Sequence, residues 1–146
     1  MTARFALKTC RVAGCCGEQW VRENYARAVG AYRARSSKAK TALMVIIDAD
    51  TDEVSRRVRQ LKEALGASAR NEDEAIVHLI PRRNIETWIL HLSDMDVDEE
   101  TDYHDEKGVD DLIPAAAATF HGWISKLPEN CLPSLSVGIE ETKRLI

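Results

Sequence analysis

No apolar run in this 146-residue chain approaches the length needed to cross a bilayer, and no apolar signal core precedes Cys10. A cytoplasmic protein with no membrane contact is expected. Cysteine is scarce: Cys10, Cys15, Cys16 and Cys131 have neither the spacing of a disulfide framework nor the two well-spaced pairs of a structural zinc site. They read as buried or tolerated thiols. Internal repeats and low-complexity segments are also missing, which excludes solenoids and disordered linkers. What remains is 45% hydrophobic and 30% charged, the composition of a globular protein. One domain over residues 1–146 is expected, large enough to bury a core without staples.

Charge is unevenly distributed. Residues 1–70 carry 14 Lys and Arg against 7 Asp and Glu, and residues 71–146 carry 6 against 17, so the halves are +7 and −11 and sum to the net −4. Such asymmetry raises the prospect of a polyanion partner on one face. Two predicted helices hold eight of the 14 basic residues of the first half: one around Trp20, Val21, Tyr25, Val29 and Tyr32, bearing Arg22, Arg27, Arg33 and Arg35, and one around Val54, Val58, Leu61 and Leu65, bearing Arg56, Arg57, Arg59 and Lys62. These faces are either plainly solvated or a contact for DNA or RNA.

The stretch that organises the chain is Ala42–Glu53, ALMVIIDADTDE. Leu43 to Ile47 suit a strand buried on both faces, and Asp48 and Asp50 would emerge at its carboxyl end, where open parallel sheets bind ligands. Two apart in an extended segment, their side chains point the same way. Like charges that close call for a cation, a proton or water, and carboxylate oxygens suit magnesium or manganese. A modest strand over Phe5–Val12 precedes it and a stronger one, Ala75–Ile80, follows. Thr51 or Asp52 can cap the helix after Ile47, Gly66 stops it, and Pro81 ends the later strand. Asn84 is placed to cap an amphipathic helix with Ile85, Trp88, Ile89 and Leu92 at i, i+3, i+4 and i+7. Residues 94–111 hold ten acids but lack the glycine and terminal glutamate of a calcium loop, and read as a solvated acidic loop. Leu112–Leu127 and a short segment capped by Ser134 supply the last helices. The alternation gives an α/β fold, with helices flanking a mainly parallel sheet of three to four strands in three layers.

Three strand ends thus supply acids: Glu18 after the first, Asp48 and Asp50 after the second, Glu86 after the third. Gathered in one cleft they could hold one or two magnesium ions that orient a phosphodiester and activate a water. Arg82 and Arg83 stand beside them as phosphate clamps or transition-state stabilisers. The same residues are also open to a plainer assignment, as caps, first-turn charges and ion pairs.

IIDADTDE after a buried strand resembles the aspartate motif of TOPRIM domains, found in topoisomerases, primases and OLD-type nucleases. PRRNIETWILHL, VDEETDY and LPSLSVGIEE are similar to segments of small bacterial TOPRIM-like proteins, so that the likeness covers nearly the whole chain. It implies a compact α/β domain with magnesium (or manganese) held by Asp48 and Asp50, Glu86 as a further acid at the rim, and phosphodiester chemistry on DNA or RNA by a nuclease-like hydrolase. The family places a glutamate before a glycine at the end of the first strand. Here Ala13–Gly14 occupies that position, and Glu18 stands one turn further on as the group that would move a proton. A second reading is therefore a non-catalytic binding or regulatory module that works with a partner such as an ATPase. A phosphoacceptor domain of the response-regulator type would need an acidic pair after the first strand and a lysine after the last, and neither is present.

Overall fold

The computed structural model describes Lys8 and residues 17–146. The expected strand over residues 5–12, the Ala13–Gly14 step and Cys10, Cys15 and Cys16 lie outside the described residues. Helix α1 (Gly17–Ser36) leads into strand β1 (Leu43–Ile46), α2 (Val54–Leu65), β2 (Ile76–Leu79), α3 (Ile85–Leu92), α4 (Val109–Ser125) and α5 (Pro133–Thr142). The protein is mixed α/β. Among the described residues its sheet has two strands, β1 and β2, parallel with Leu43 opposite Ile76 and Ile46 opposite Leu79. A β–α–β unit of this kind needs a crossover long enough to span the sheet, which α2 provides.

Two apolar clusters form on opposite faces of β2. Ile76 and Ile80 join Tyr25, Val29 and Tyr32 of α1, Leu61 of α2, and Val45 and Ile47. Val77 and Leu79 point the other way, into Trp88 and Leu92 of α3, Ala116 of α4, and Leu135 and Ile139 of α5. The period-two alternation of β2 is thus spent on two cores, and all four of its residues are buried. β1 differs from expectation. Val45 and Ile47 are buried, but Met44 and Ile46 are 49% and 48% exposed, so the strand is covered on one face instead of both.

Helix boundaries follow local chemistry. Gly66 ends α2 at φ 55°, a conformation that costs a side chain about 1 kcal/mol or more. Glu53 precedes α2, and neither Thr51 nor Asp52 caps it; Asp52 is drawn instead to Arg56 (3.1 Å) and Arg57 (3.6 Å). Asn84 does precede α3, although its side-chain oxygen accepts from the Thr87 hydroxyl (3.2 Å) and not from a backbone amide. Pro133 opens α5, where its missing N–H has no partner to lose. Ser134, expected as the cap, lies one residue further in and is buried.

The two sides of β2 are tied by a largely shielded polar network. Glu141 of α5 grips Arg70 through two hydrogen bonds (2.6 and 3.0 Å) and accepts the His78 amide (2.9 Å), while the His78 ring meets the Tyr25 hydroxyl at 2.7 Å. Burial pushes the His78 imidazole down to about 4, so the ring is neutral at pH 7.

Gly138 of α5 shows how closely α3 and α5 approach. A Cβ there would stand 2.6 Å from Cη2 and 3.2 Å from Cζ3 of Trp88, itself 2% exposed. Gly138→Ala should therefore destabilise by about 1–3 kcal/mol in thermal melting, although alanine is the better helix former. In a Trp88→Phe background the cost should shrink; an unchanged cost would show that the indole is not the obstacle.

Candidate functional site

The site lies where the chain leaves β1 and β2. The two loops are pinned together: Ala49 N–H donates to the Pro81 carbonyl and Asp50 N–H to the Arg83 carbonyl, both at 2.9 Å, in an isolated antiparallel bridge. Asp50 and Arg83 each take a left-handed backbone, with φ of 57° and 68°. Outside glycine such values are uncommon, more so for a long side chain such as arginine than for aspartate. The positive φ also corrects the expectation that Asp48 and Asp50 project alike. The segment is not extended at Asp50, whose carboxylate turns to the Arg83 guanidinium at 3.6 Å and is 67% exposed.

Asp48 stays inside. Its carboxylate accepts the amide of Ile85, the first residue of α3, and so serves as an anion at a helix N-terminus. Even so, its pKa is pushed up to about 6: burial is the chief cause, the Glu86 carboxylate the next, and Asp50 adds less. Glu86, in the first turn of α3, has one buried oxygen (Oε2) with no hydrogen-bond partner, and its Oε1 is 3.9 Å from His104 Nδ1. A pocket of about 290 Å³ opens beside it, lined by Glu86, His104, Glu106 and Asp110 with Gly108 and Val109. Asp48 and Glu86 therefore form a partly desolvated pair of like charges, in place of the expected pairing of Asp48 with Asp50.

Glu18 is engaged elsewhere. It forms a salt bridge with Arg22 (2.7 Å) and with Arg57 (3.2 Å). Arg57, only 4% exposed, donates through Nε to the Asp48 carbonyl at 3.0 Å and through Nη1 to Gln60 at 2.9 Å. Glu18 thus touches the loop of Asp48 through a guanidinium. The basic helices are also partly occupied by internal ties, since Arg33 pairs with Glu74 (2.8 Å) and Arg56 with Asp52. Arg27, Arg35, Arg59 and Lys62 are exposed.

Arg82 and Arg83 flank the site, yet both face acids. Arg82 is 2.9 Å from Glu100 and 3.6 Å from Glu53, and Arg83 is 4.0 Å from Asp102. The acidic stretch is accordingly more than a solvated loop. Asp102 accepts from the buried Asn84 side chain at 2.7 Å, and Glu99 accepts from the Ser134 hydroxyl and amide. Ser134 in turn accepts from Trp88 Nε1 (2.8 Å) and the Arg82 amide (3.2 Å). Composition alone hid this, because a run of acids carries no period that would show which of them face inward.

The donor set can be weighed against a magnesium or manganese ion. Among the described residues no group of three or more His, Cys, Asp and Glu side chains is arranged as a metal cage. Magnesium is commonly held by one or two carboxylates, with waters and substrate phosphates completing the octahedron. Asp48 and Glu86, the latter with a buried oxygen that has no hydrogen-bond partner, fit that mode; Asp50 faces Arg83 instead. Among the described residues, no helix is long and apolar enough to cross a membrane. Comparison of the chain with family models, curated proteins and solved structures finds no match.

Proposed function

We propose that the protein is a divalent-metal-dependent nuclease-like hydrolase, acting on phosphodiesters of DNA or RNA at the ends of β1 and β2. The reading is supported chiefly by the Asp48–Glu86 pair, two carboxylates brought together at a cost that a magnesium or manganese ion would relieve. When bound, the ion would supply charge neutralisation of the scissile phosphate and a more acidic water. Asp48 and Glu86 would hold it, with Asp50 as a further ligand if its loop turns from Arg83. Arg82 and Arg83 would grip the phosphate by paired N–H donors. Glu18, through Arg57, would fix the Asp48 loop or, released from its arginines, move a proton. This arrangement accords with the TOPRIM-like resemblance of IIDADTDE.

The second reading, a non-catalytic TOPRIM-like module acting with a partner protein such as an ATPase, is favoured by one observation: Glu18 is already neutralised by Arg22 and Arg57. Cleavage assays on plasmid and on single-stranded DNA and RNA separate the two. The nuclease reading expects cleavage that requires magnesium or manganese and falls at least a hundredfold in Asp48→Asn/Glu86→Gln. Cleavage at wild-type level by that variant would overturn it, and no cleavage together with recovery of a stoichiometric protein partner would establish the second reading.

A further inference from the structure

We propose that residues 96–106 are an autoinhibitory strap, whose Glu100 and Asp102 occupy Arg82 and Arg83 in place of the phosphates of a nucleic acid. The inference rests on the reading of these arginines as phosphate clamps. Its anchor is at Glu99, which takes both the hydroxyl and the amide of buried Ser134. The next residue, Glu100, puts a carboxylate oxygen 2.9 Å from Arg82 Nη2, and Asp102 lies 4.0 Å from Arg83 Nη2 while accepting from Asn84. Carboxylate and phosphate present the same paired oxygens to a guanidinium, so each acid blocks the geometry a phosphodiester would use.

The strap is shaped before it docks. Asp98 accepts the amides of Glu100 (2.8 Å) and Thr101 (2.7 Å) and the Thr101 hydroxyl (2.9 Å), and the Asp102 carboxylate accepts the His104 amide at 2.9 Å. A preformed bend presents Glu100 and Asp102 at little entropic cost. The contacts with the arginines are nevertheless weak and screened, since the Glu100 and Asp102 side chains are 76% and 51% exposed. A strand with many phosphates would displace such pairs where a single phosphate ion would not, so the strap selects for polyanions. It also explains why the acidic excess of residues 71–146 is concentrated beside the only adjacent arginines of that half.

The test is binding of a fluorescein-labelled single-stranded oligodeoxynucleotide in EDTA, followed by anisotropy, which involves no cleavage. Glu100→Gln/Asp102→Asn should tighten binding about tenfold, and Glu100→Gln alone, whose carboxylate pairs with Arg82 among the described residues, about threefold. The control Asp96→Asn/Asp105→Asn removes the same charge from strap positions that form no ion pair among the described residues, and should change affinity by no more than about twofold. Adding Arg82→Ala to the tight variant should erase the gain. Equal tightening in control and test variants, with wild-type binding still weakened by Arg82→Ala, would overturn the strap and leave the phosphate clamp standing. If Arg82→Ala and Arg83→Ala change binding in no background, the clamp fails and the strap with it.

Discussion

Asp48→Asn is expected to stabilise the metal-free protein at pH 7 by about 2 kcal/mol, raising its melting temperature by about 6 °C. Most substitutions of a half-buried polar residue do the reverse. The expectation follows from the carboxyl being pushed from 3.8 in the unfolded chain up to about 6 in the fold, so that folding at neutral pH must keep a charge which the site disfavours. Asparagine removes that charge and can still accept the Ile85 amide. The sign with pH is fixed by the same shift. The folded state holds the proton more tightly, so the advantage of the variant is full above about pH 6 and disappears as pH falls towards 3.8, where wild-type Asp48 is protonated in both states. His78 works oppositely in both proteins, losing stability as pH falls from 6.5 towards about 4, and therefore cancels in the difference. Manganese should raise the melting temperature of the wild type and leave Asp48→Asn unmoved. An Asp48→Asn protein less stable than wild type at pH 7 would mean that the Ile85 hydrogen bond outweighs the buried charge, and the cation site would lose its main support.

Much of this was legible in the chain. The run Leu43–Ile47, the stop at Gly66, the strand closing before Pro81 and the i, i+3, i+4, i+7 stripe of α3 each depend on short-range chemistry, and each stands where the sequence puts it apart from the strands' end residues. The acids after β1 and in the first turn of α3 were equally visible, because strand ends in a parallel sheet converge whatever else the chain does. What failed was side-chain direction and partnership. Alternation predicts that Asp48 and Asp50 face one way only while the backbone is extended, and the cross-loop bridge to Arg83 ends the extension. Met44 and Ile46 are as apolar as Val45, so nothing in β1 itself reveals that one face lacks a cover. Ion pairs between residues far apart in sequence, such as Arg70 with Glu141 or Arg82 with Glu100, obey no local rule, and it is these that turned the acidic loop into a strap and Glu18 into a partner of arginine.

Arg57→Met should cost about 3 kcal/mol in urea unfolding at unchanged m-value. Methionine keeps an apolar stem of similar volume in a side chain that is 5% exposed, but takes away a guanidinium that satisfies four groups: the Asp48 carbonyl, Gln60, Glu18 and Asp52. The carbonyl is left without its donor and Glu18 loses the more buried of Arg57 and Arg22, so two desolvation penalties appear at once. Glu18→Gln alone should cost less than about 1 kcal/mol, because a neutral amide still accepts from both arginines and its site is partly open to solvent. The double variant should recover about 1 kcal/mol relative to the sum, since no carboxylate is then deprived of the Arg57 guanidinium. The comparison also separates two roles for Glu18. A residue that moves a proton loses activity in Glu18→Gln with stability intact, whereas one that acts by holding Arg57 against the Asp48 loop keeps most of its activity there and loses manganese affinity, about tenfold, only in Arg57→Met. Stability of Arg57→Met within about 0.5 kcal/mol of wild type would show that Arg57 does not fix the loop, and the buried guanidinium would then have no structural role linking α2 to the site.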